Sequence, residues 1–241
     1  MKFNNIGIDN SLDWKRIRKL FIIGLLGGCM TFVGDWLLGY GVCDESLSGL
    51  EKKLSQYLVL SDGELFWSAF LGLIGISLEG LCYFGIYRLI GSRSMKHAHV
   101  FRSGVFGYIL FAACGVHVPC LSTVFFYKHM MFESPDAAYD LTLNFGVFFL
   151  LPALILFLIF FFVMSAAQIS AFAKGLTPYP KWCWIFSMPI GMAATMLLKF
   201  TGNHAVTNGL TAAWISIGNI WMFGGLLLTM KKAKGGQKHE I

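Results

Sequence analysis

The chain has 241 residues, of which 56% are hydrophobic, 16% aromatic and only 13% charged, and its net charge is +6. Soluble proteins carry about 25% charged residues, because their surfaces must meet water. The composition therefore excludes an ordinary soluble domain and predicts an all-α integral membrane protein. The basic residues are divided among the termini and short loops, which excludes a continuous groove for nucleic acid.

Apolar segments recur along the chain, each long enough for a helix of about 20 residues to cross roughly 30 Å of hydrocarbon. A bundle of about six transmembrane helices is predicted, at Leu20–Val42, Leu65–Ile90, Phe101–Tyr127, Leu143–Ala171, Trp182–Phe200 and Asn208–Met230. The fifth has the weakest pattern, because it is short and contains Pro189. If it did not span, the C-terminus would lie on the opposite side.

The basic residues indicate orientation, since Lys and Arg are retained on the cytoplasmic side of a membrane. They collect at residues 15–19, 88–102, 174–181 and 231–238, while the intervening loops are acidic. These groups share one side only if the number of spans is six. We therefore predict a multi-pass protein of the cell membrane with both termini cytoplasmic. Residues 1–19 form a basic N-terminus, 20–230 a single transmembrane domain with an outer loop at 43–64, and 231–241 a basic tail.

The outer loop has its own helical pattern. Leu47, Leu50, Leu54 and Leu58 recur at helical spacing, with charged residues between them. Such a pattern is typical of an amphipathic helix that lies on the outer leaflet. It is equally typical of a loop helix that packs over the mouth of the bundle.

Few polar side chains lie inside the predicted spans, where an ionisable group costs about 2.5–3.5 kcal/mol. Asp35, Glu79, His117 and Asn219 are the central ones, and each shares a helical face with small residues, which predicts that it points into the bundle. At about 1.5 Å per residue, Asp35 and His117 fall at one depth, with Asn219 near the midplane. Glu79 falls nearer the cytoplasmic edge, too far from Asp35 for direct contact.

Pro119 follows His117 by two positions and predicts a kink, because proline frees a carbonyl one turn earlier, near Gly115. A kink beside a histidine is a candidate binding pocket, with Ser122 close by. Equally, His117 could simply hydrogen-bond Asp35 or a backbone carbonyl and hold the helices together.

A metal site is a further hypothesis. If the loop containing His204 folds back over the bundle, His204 could join Asp35 and His117 around a metal ion. No spacing diagnostic of a metal or cofactor occurs in the chain, and the six cysteines are placed singly, without the pattern of a disulfide or zinc framework.

The first predicted span closes with Gly34-Asp35-Trp36-Leu37-Leu38-Gly39-Tyr40. This stretch resembles an uncharacterised family of bacterial polytopic membrane proteins. The resemblance implies a multi-span membrane fold and no assigned activity.

Three functional hypotheses follow. The first is an intramembrane enzyme or binder for a lipid or other apolar small molecule, with Asp35 and His117 as the catalytic pair. Its substrate contacts would come from Glu79, Asn219, Ser122 and Asn144. The second is a transporter or channel-like protein with a polar column for a proton, ion or small solute. The third is a structural or immunity-type membrane protein. The first is favoured, because the bundle is small and no internal repeat is visible.

Overall fold

The structure is a computed structural model that describes residues 12–237, with side chains described from 12 to 234. It is all-helical over these residues. The α-helices are α1 (Trp14–Gly39), α2 (Gly49–Ser55), α3 (Asp62–Cys82), α4 (Phe84–Gly91), α5 (Met95–Phe111), α6 (Val118–Glu133), α7 (Pro135–Phe149), α8 (Leu151–Ala173), α9 (Met188–Met196), α10 (Ala205–Ala212) and α11 (Trp214–Gln237). A π-helical turn, Ala112–His117, joins α5 to α6.

Among the described residues, four helices are long and apolar enough to cross a membrane: Trp14–Gly39, Asp62–Gly91, Met95–Glu133 and Leu151–Ala173. A fifth arises if α10 and α11, which meet at a bend of 62°, count as one span. The predicted span at Trp182–Phe200 is not one continuous helix. It consists of α9 between two 3₁₀ turns, Lys181–Ile185 and Leu197–Thr201. Pro189 explains part of this, because it lies in the first turn of α9, where a missing N–H costs little.

Glycines let α1 and α3 pack backbone to backbone. A methyl group placed on Gly75 would lie 2.3 Å from the Thr31 hydroxyl oxygen and 2.6 Å from the Gly27 carbonyl oxygen. Small residues permit such approach between helices in lipid, where packing rather than water drives association.

The first and last helices run antiparallel, so both ends of the described chain lie at one end of the bundle. Gly39, at the end of α1, packs against Ala212, at the end of α10, while the Lys234 ammonium lies 5.9 Å from the centre of the Trp14 ring. We call the end with Trp14 and Lys234 the terminal end, and the opposite one the α2 end.

The segment from residue 181 to 201 follows α11 in the opposite direction. The Lys232 ammonium lies 5.3 Å from the centre of the Trp182 ring, at the terminal end. The Thr201 and Thr207 hydroxyl oxygens lie 2.9 Å apart, at the α2 end. This segment therefore extends from one end of the bundle to the other.

The connection between α1 and α3 packs on the protein. Leu54 of α2 is buried together with Tyr127 of α6 and Ala138 of α7. The Asn203 side chain donates to the Cys43 carbonyl at 3.0 Å and accepts from the Cys43 N–H at 3.2 Å, which ties the α9–α10 loop to this connection. The structure therefore places α2 against the bundle.

Acidic side chains on this connection are held in their charged form. The Ser46 hydroxyl and N–H donate to Asp44 and hold the pKa of its carboxyl below the usual range. Hydrogen bonds from Lys52 and then Asn203 lower the pKa of the Glu45 carboxyl. The α2 end of the protein thus carries fixed negative charge.

Candidate functional site

Asp35 of α1 lies at the centre of one buried polar group, the Asp35 cluster, which contains Asp35, His117, Ser216 and the Ser68 carbonyl. The Ser216 hydroxyl of α11 donates to Asp35 Oδ2 at 2.7 Å. His117 Nδ1 lies 3.8 Å from Asp35 Oδ1, and its Nε2 lies 3.1 Å from the Ser68 carbonyl oxygen of α3. Side-chain exposure is 16% for Asp35 and 8% for His117.

The π-helical turn aims His117 at α3. It ends at His117, just before Val118 and Pro119, so the backbone disruption predicted at the proline is a widened turn. The imidazole rests on Gly72, since a methyl group there would lie 1.9 Å from Nε2. Only a residue without a side chain at position 72 leaves room for the imidazole ring of His117.

The contacts of His117 assign a hydrogen to Nε2. A carbonyl oxygen only accepts, so Nε2 carries a hydrogen toward Ser68. Nδ1 lies 3.8 Å from Asp35 Oδ1, which is longer than a hydrogen bond, so the two groups approach each other without sharing a proton. Asp35 and His117 are thus two ionisable side chains placed side by side.

The order of groups argues against a serine nucleophile. Ser216 Oγ bonds the Asp35 carboxyl rather than the imidazole. In a nucleophile–base relay the hydroxyl must touch the base. The Asp35 cluster therefore lacks the order of groups that a serine nucleophile needs.

Glu79 forms a second buried group, the Glu79 cluster, with Tyr83, Tyr108 and Asn219. Glu79 Oε2 accepts from the Tyr108 hydroxyl at 2.9 Å and from Asn219 Nδ2 at 2.6 Å. The Tyr83 hydroxyl donates to Asn219 Oδ1. The side chains of Glu79, Tyr83 and Asn219 are completely buried, and the cluster joins α3, α5 and α11.

The two clusters share helices and are separated in depth. Gly72, beneath His117, and Glu79 lie about 10 Å apart along α3 at about 1.5 Å per residue. In the described part of the chain no hydrogen bond or ion pair joins Asp35 to Glu79. The polar groups thus form two levels along the interface of α1, α3 and α11.

The other candidate residues lie away from Asp35 and His117. Asn219, predicted as a substrate contact, belongs to the Glu79 cluster, and Ser216 of the same helix bonds Asp35. Asn144 is exposed on α7. Ser122 donates to the Val118 carbonyl of its own helix at 2.9 Å. It lines a separate cavity of about 490 Å³, whose lining also includes Asp62.

His204 is exposed just before α10. Within residues 12–237, no three His, Cys, Asp or Glu side chains are grouped closely enough to hold a metal ion. The loop does fold against the α1–α3 connection, through Asn203, but His204 does not reach Asp35 and His117.

Sequence reasoning missed Tyr83, Tyr108 and the carbonyl of Ser68. Tyrosine is common near membrane interfaces, so its presence in a span carried no clear signal. One indication existed: Tyr83 follows Glu79 by one helical turn and therefore shares its face.

An apolar cavity lies beside the Asp35 cluster, between α2, α6, α7 and the start of α8. We call it the lateral cavity; its volume is about 290 Å³, and its lining includes Leu54, Tyr57, Cys120, Thr142, Gly146 and Leu150. Cys120 follows His117 by one helical turn. Thr142 is 1% exposed, and its hydroxyl has no hydrogen-bond partner among the described residues.

The sequence matches one protein family. A model of DUF6796, a family of unknown function, matches residues 1–233. The chain belongs to the DUF6796 family. This agrees with the uncharacterised family expected from the first span. No curated protein and no solved structure matches the chain. Membership in DUF6796 assigns no activity.

Proposed function

We propose that this protein crosses the cell membrane six times, with both termini in the cytoplasm, and binds an amphiphilic molecule of the bilayer in its lateral cavity. The shared position of Trp14 and Lys234 supports an even number of crossings. The segment at 181–201 supplies the sixth, because about 20 residues are enough for the hydrocarbon layer. The terminal end carries Lys231, Lys232 and the other basic groups, so it is the cytoplasmic end.

Thiol labelling on intact cells tests this topology. In a variant without native cysteines, His204→Cys is expected to react with a membrane-impermeant maleimide from outside. Lys181→Cys is expected to react only after permeabilisation, because the segment between the two positions crosses the bilayer. Glu51→Cys and Lys96→Cys are the outer and inner controls. Labelling of positions 181 and 204 from the same side would contradict six crossings.

The size and lining of the lateral cavity support ligand binding. Its volume of about 290 Å³ is near the lower limit of small-molecule pockets, about 300 Å³. Its walls are almost entirely apolar, which suits an alkyl chain. The unpartnered Thr142 hydroxyl is a single buried donor, and such a group is costly until a ligand satisfies it. The matching ligand is an amphiphile whose chain fills the cavity and whose ester, carboxyl or hydroxyl oxygen accepts from Thr142.

The Asp35–His117 pair lies close enough to the lateral cavity to act on a bound molecule. Cys120 belongs to the cavity wall, one turn from His117. A bound molecule with an ionisable or ester group would lie near a carboxyl group and an imidazole, which are the side chains that general acid–base catalysis uses. Both side chains are nearly covered, so a reacting group would have to displace the wall at Cys120 and Tyr57. Binding is therefore the primary proposal and catalysis its extension.

Photo-crosslinking tests the lateral cavity. A fatty acid with a diazirine in its chain is expected to label peptides that contain Cys120 and Thr142. Gly146→Leu should reduce this labelling about tenfold, because the added side chain fills the cavity. A tenfold loss corresponds to about 1.4 kcal/mol of binding free energy. Thr142→Val, which removes only the hydroxyl, should weaken binding about three- to tenfold.

The matched control for the cavity is Phe148→Leu. Phe148 is 73% exposed on the same helix as Gly146, on its lipid-facing side. The nearest neighbour of a methyl group at Gly146 is the Thr123 methyl at 3.7 Å, an ordinary contact, so Gly146→Leu is expected to fold. Equal labelling of Gly146→Leu and Phe148→Leu would show that the probe does not enter the cavity.

A second candidate function is passage of a proton, ion or small solute. Two polar levels on the same helices, the Asp35 cluster and the Glu79 cluster, favour it, because intramembrane ionisable residues are typical of such pathways. Glu79→Gln separates the candidates. It is expected to stop this movement in reconstituted vesicles and to leave labelling of the lateral cavity unchanged, since Glu79 does not line that cavity.

A further inference from the structure

We infer that Glu79 is an exchangeable proton-binding site in the interior of the bundle, with the proton on Oε1 and the carboxyl held by Tyr108 and Asn219. This site does not depend on a ligand in the lateral cavity. It adds a titratable centre at the level where α1, α3, α5 and α11 meet.

The two carboxyl oxygens of Glu79 have different surroundings. Oε2 accepts from Tyr108 and Asn219, as a carboxylate oxygen or a carbonyl oxygen does. Oε1 is buried and has no hydrogen-bond partner at ordinary distance among the described residues, while the Thr31 hydroxyl, which donates to the Gly27 carbonyl, lies close to the carboxyl. Oε1 faces α1, where a methyl group on Gly28 would lie 3.6 Å away. A proton on Oε1 therefore leaves every bond of Oε2 intact.

Both protonation states are compatible with this arrangement. No Lys, Arg or His side chain in the described chain is paired with Glu79, so a buried carboxylate would lack a counter-charge, which favours the acid. Two hydrogen bonds on Oε2 stabilise the carboxylate once the proton has left. On release, the O–H bond of the acid breaks, its electrons stay on Oε1, and water takes the proton.

Ionisable neighbours act on Glu79 from each packed helix. Asp35 of α1 acts from the other cluster without contact, Cys82 lies on α3 itself, Tyr83 follows α3, and Tyr108 comes from α5. From α11 the facing group is Asn219, which has no charge. The ionisable neighbours are all acids, so any of them that loses its proton makes release from Glu79 harder.

Infrared difference spectroscopy tests the site on the full-length protein in lipid. The carbonyl band of a protonated carboxylic acid is expected at neutral pH, to be absent from Glu79→Gln, and to shift to lower frequency in D₂O as the proton exchanges. The amide oxygen introduced by Glu79→Gln can still accept both hydrogen bonds, so the variant is expected to fold. The difference between wild type and Glu79→Gln isolates this carboxyl from that of Asp35.

Tyr108→Phe is the second variant. It removes one donor to Oε2 and leaves the ring, so the acid form is expected to persist to higher pH than in the wild-type protein. If Glu79 served packing alone, Tyr108→Phe would not change the pH at which half of the acid band is lost. Absence of a Glu79 acid band at neutral pH, or a band that ignores both D₂O and pH, would overturn the inference.

Discussion

Gly72→Ala is expected to dismantle the Asp35 cluster and to lower the free energy of unfolding by about 2 kcal/mol or more. The new methyl group would lie 1.9 Å from His117 Nε2, so the ring must move. Overpacking of this kind costs about 1–3 kcal/mol. The displaced ring also loses its bond to the Ser68 carbonyl, worth about 1 kcal/mol. Unfolding in mixed micelles of sodium dodecyl sulfate, followed by circular dichroism, measures the change.

A double variant identifies the cause. In Gly72→Ala with His117→Ala the ring is absent, so the methyl group is expected to fit and the two effects to fall short of their sum. Residues in contact typically show a coupling of about 0.5–3 kcal/mol. Gly224→Ala is the control, since the nearest atom to a methyl group there is Leu25 Cδ1 at 3.9 Å. Strict additivity at 72 and 117 would contradict contact between the two side chains.

Asn219→Leu is the second variant expected to have a large effect. Asn219 donates to Glu79 Oε2 and accepts from Tyr83, so leucine leaves the Tyr83 hydroxyl without its acceptor in a buried place. Each interhelical bond in a membrane contributes about 0.6–1.7 kcal/mol, and an orphaned buried polar group costs about 1–3 kcal/mol. A loss of about 2–4 kcal/mol is expected in the same unfolding assay.

Two further variants set the scale for the stability loss of Asn219→Leu. Tyr83→Phe removes one donor from the Glu79 cluster and is expected to cost less than Asn219→Leu. Ser103→Ala removes a hydroxyl that bonds the His99 carbonyl of its own helix at an exposed position, and is expected to be neutral. If Asn219→Leu were as stable as Ser103→Ala, the Glu79 cluster would not contribute to helix packing.

These variants act on different levels of the bundle. Gly72→Ala changes the position of His117, while Asn219→Leu changes the donors to Glu79. Because the two levels lie about 10 Å apart along α3, each variant is expected to leave the other cluster bonded. Their effects on ligand binding and on proton movement can therefore be assigned separately.

Some properties of this protein follow from the sequence alone. Long apolar segments and few charges predicted a helical membrane protein, because both depend on local composition. Small residues on the faces of Asp35, His117 and Glu79 predicted that these side chains point inward, since helical periodicity is also local. The disruption at Pro119 followed from the missing N–H of proline.

The pairing of these residues was decided by the tertiary structure. Counting residues along straight helices gave the depth of Asn219 but not its partner, and the structure bonds Asn219 to Glu79 and Ser216 to Asp35. The same counting missed the π-helical turn that aims His117 at Gly72. It also treated the fifth segment as a straight helix, whereas α9 lies between two 3₁₀ turns. Contacts between helices distant in sequence decide the geometry of such bends and turns, so residue counting along straight helices does not place side chains across them.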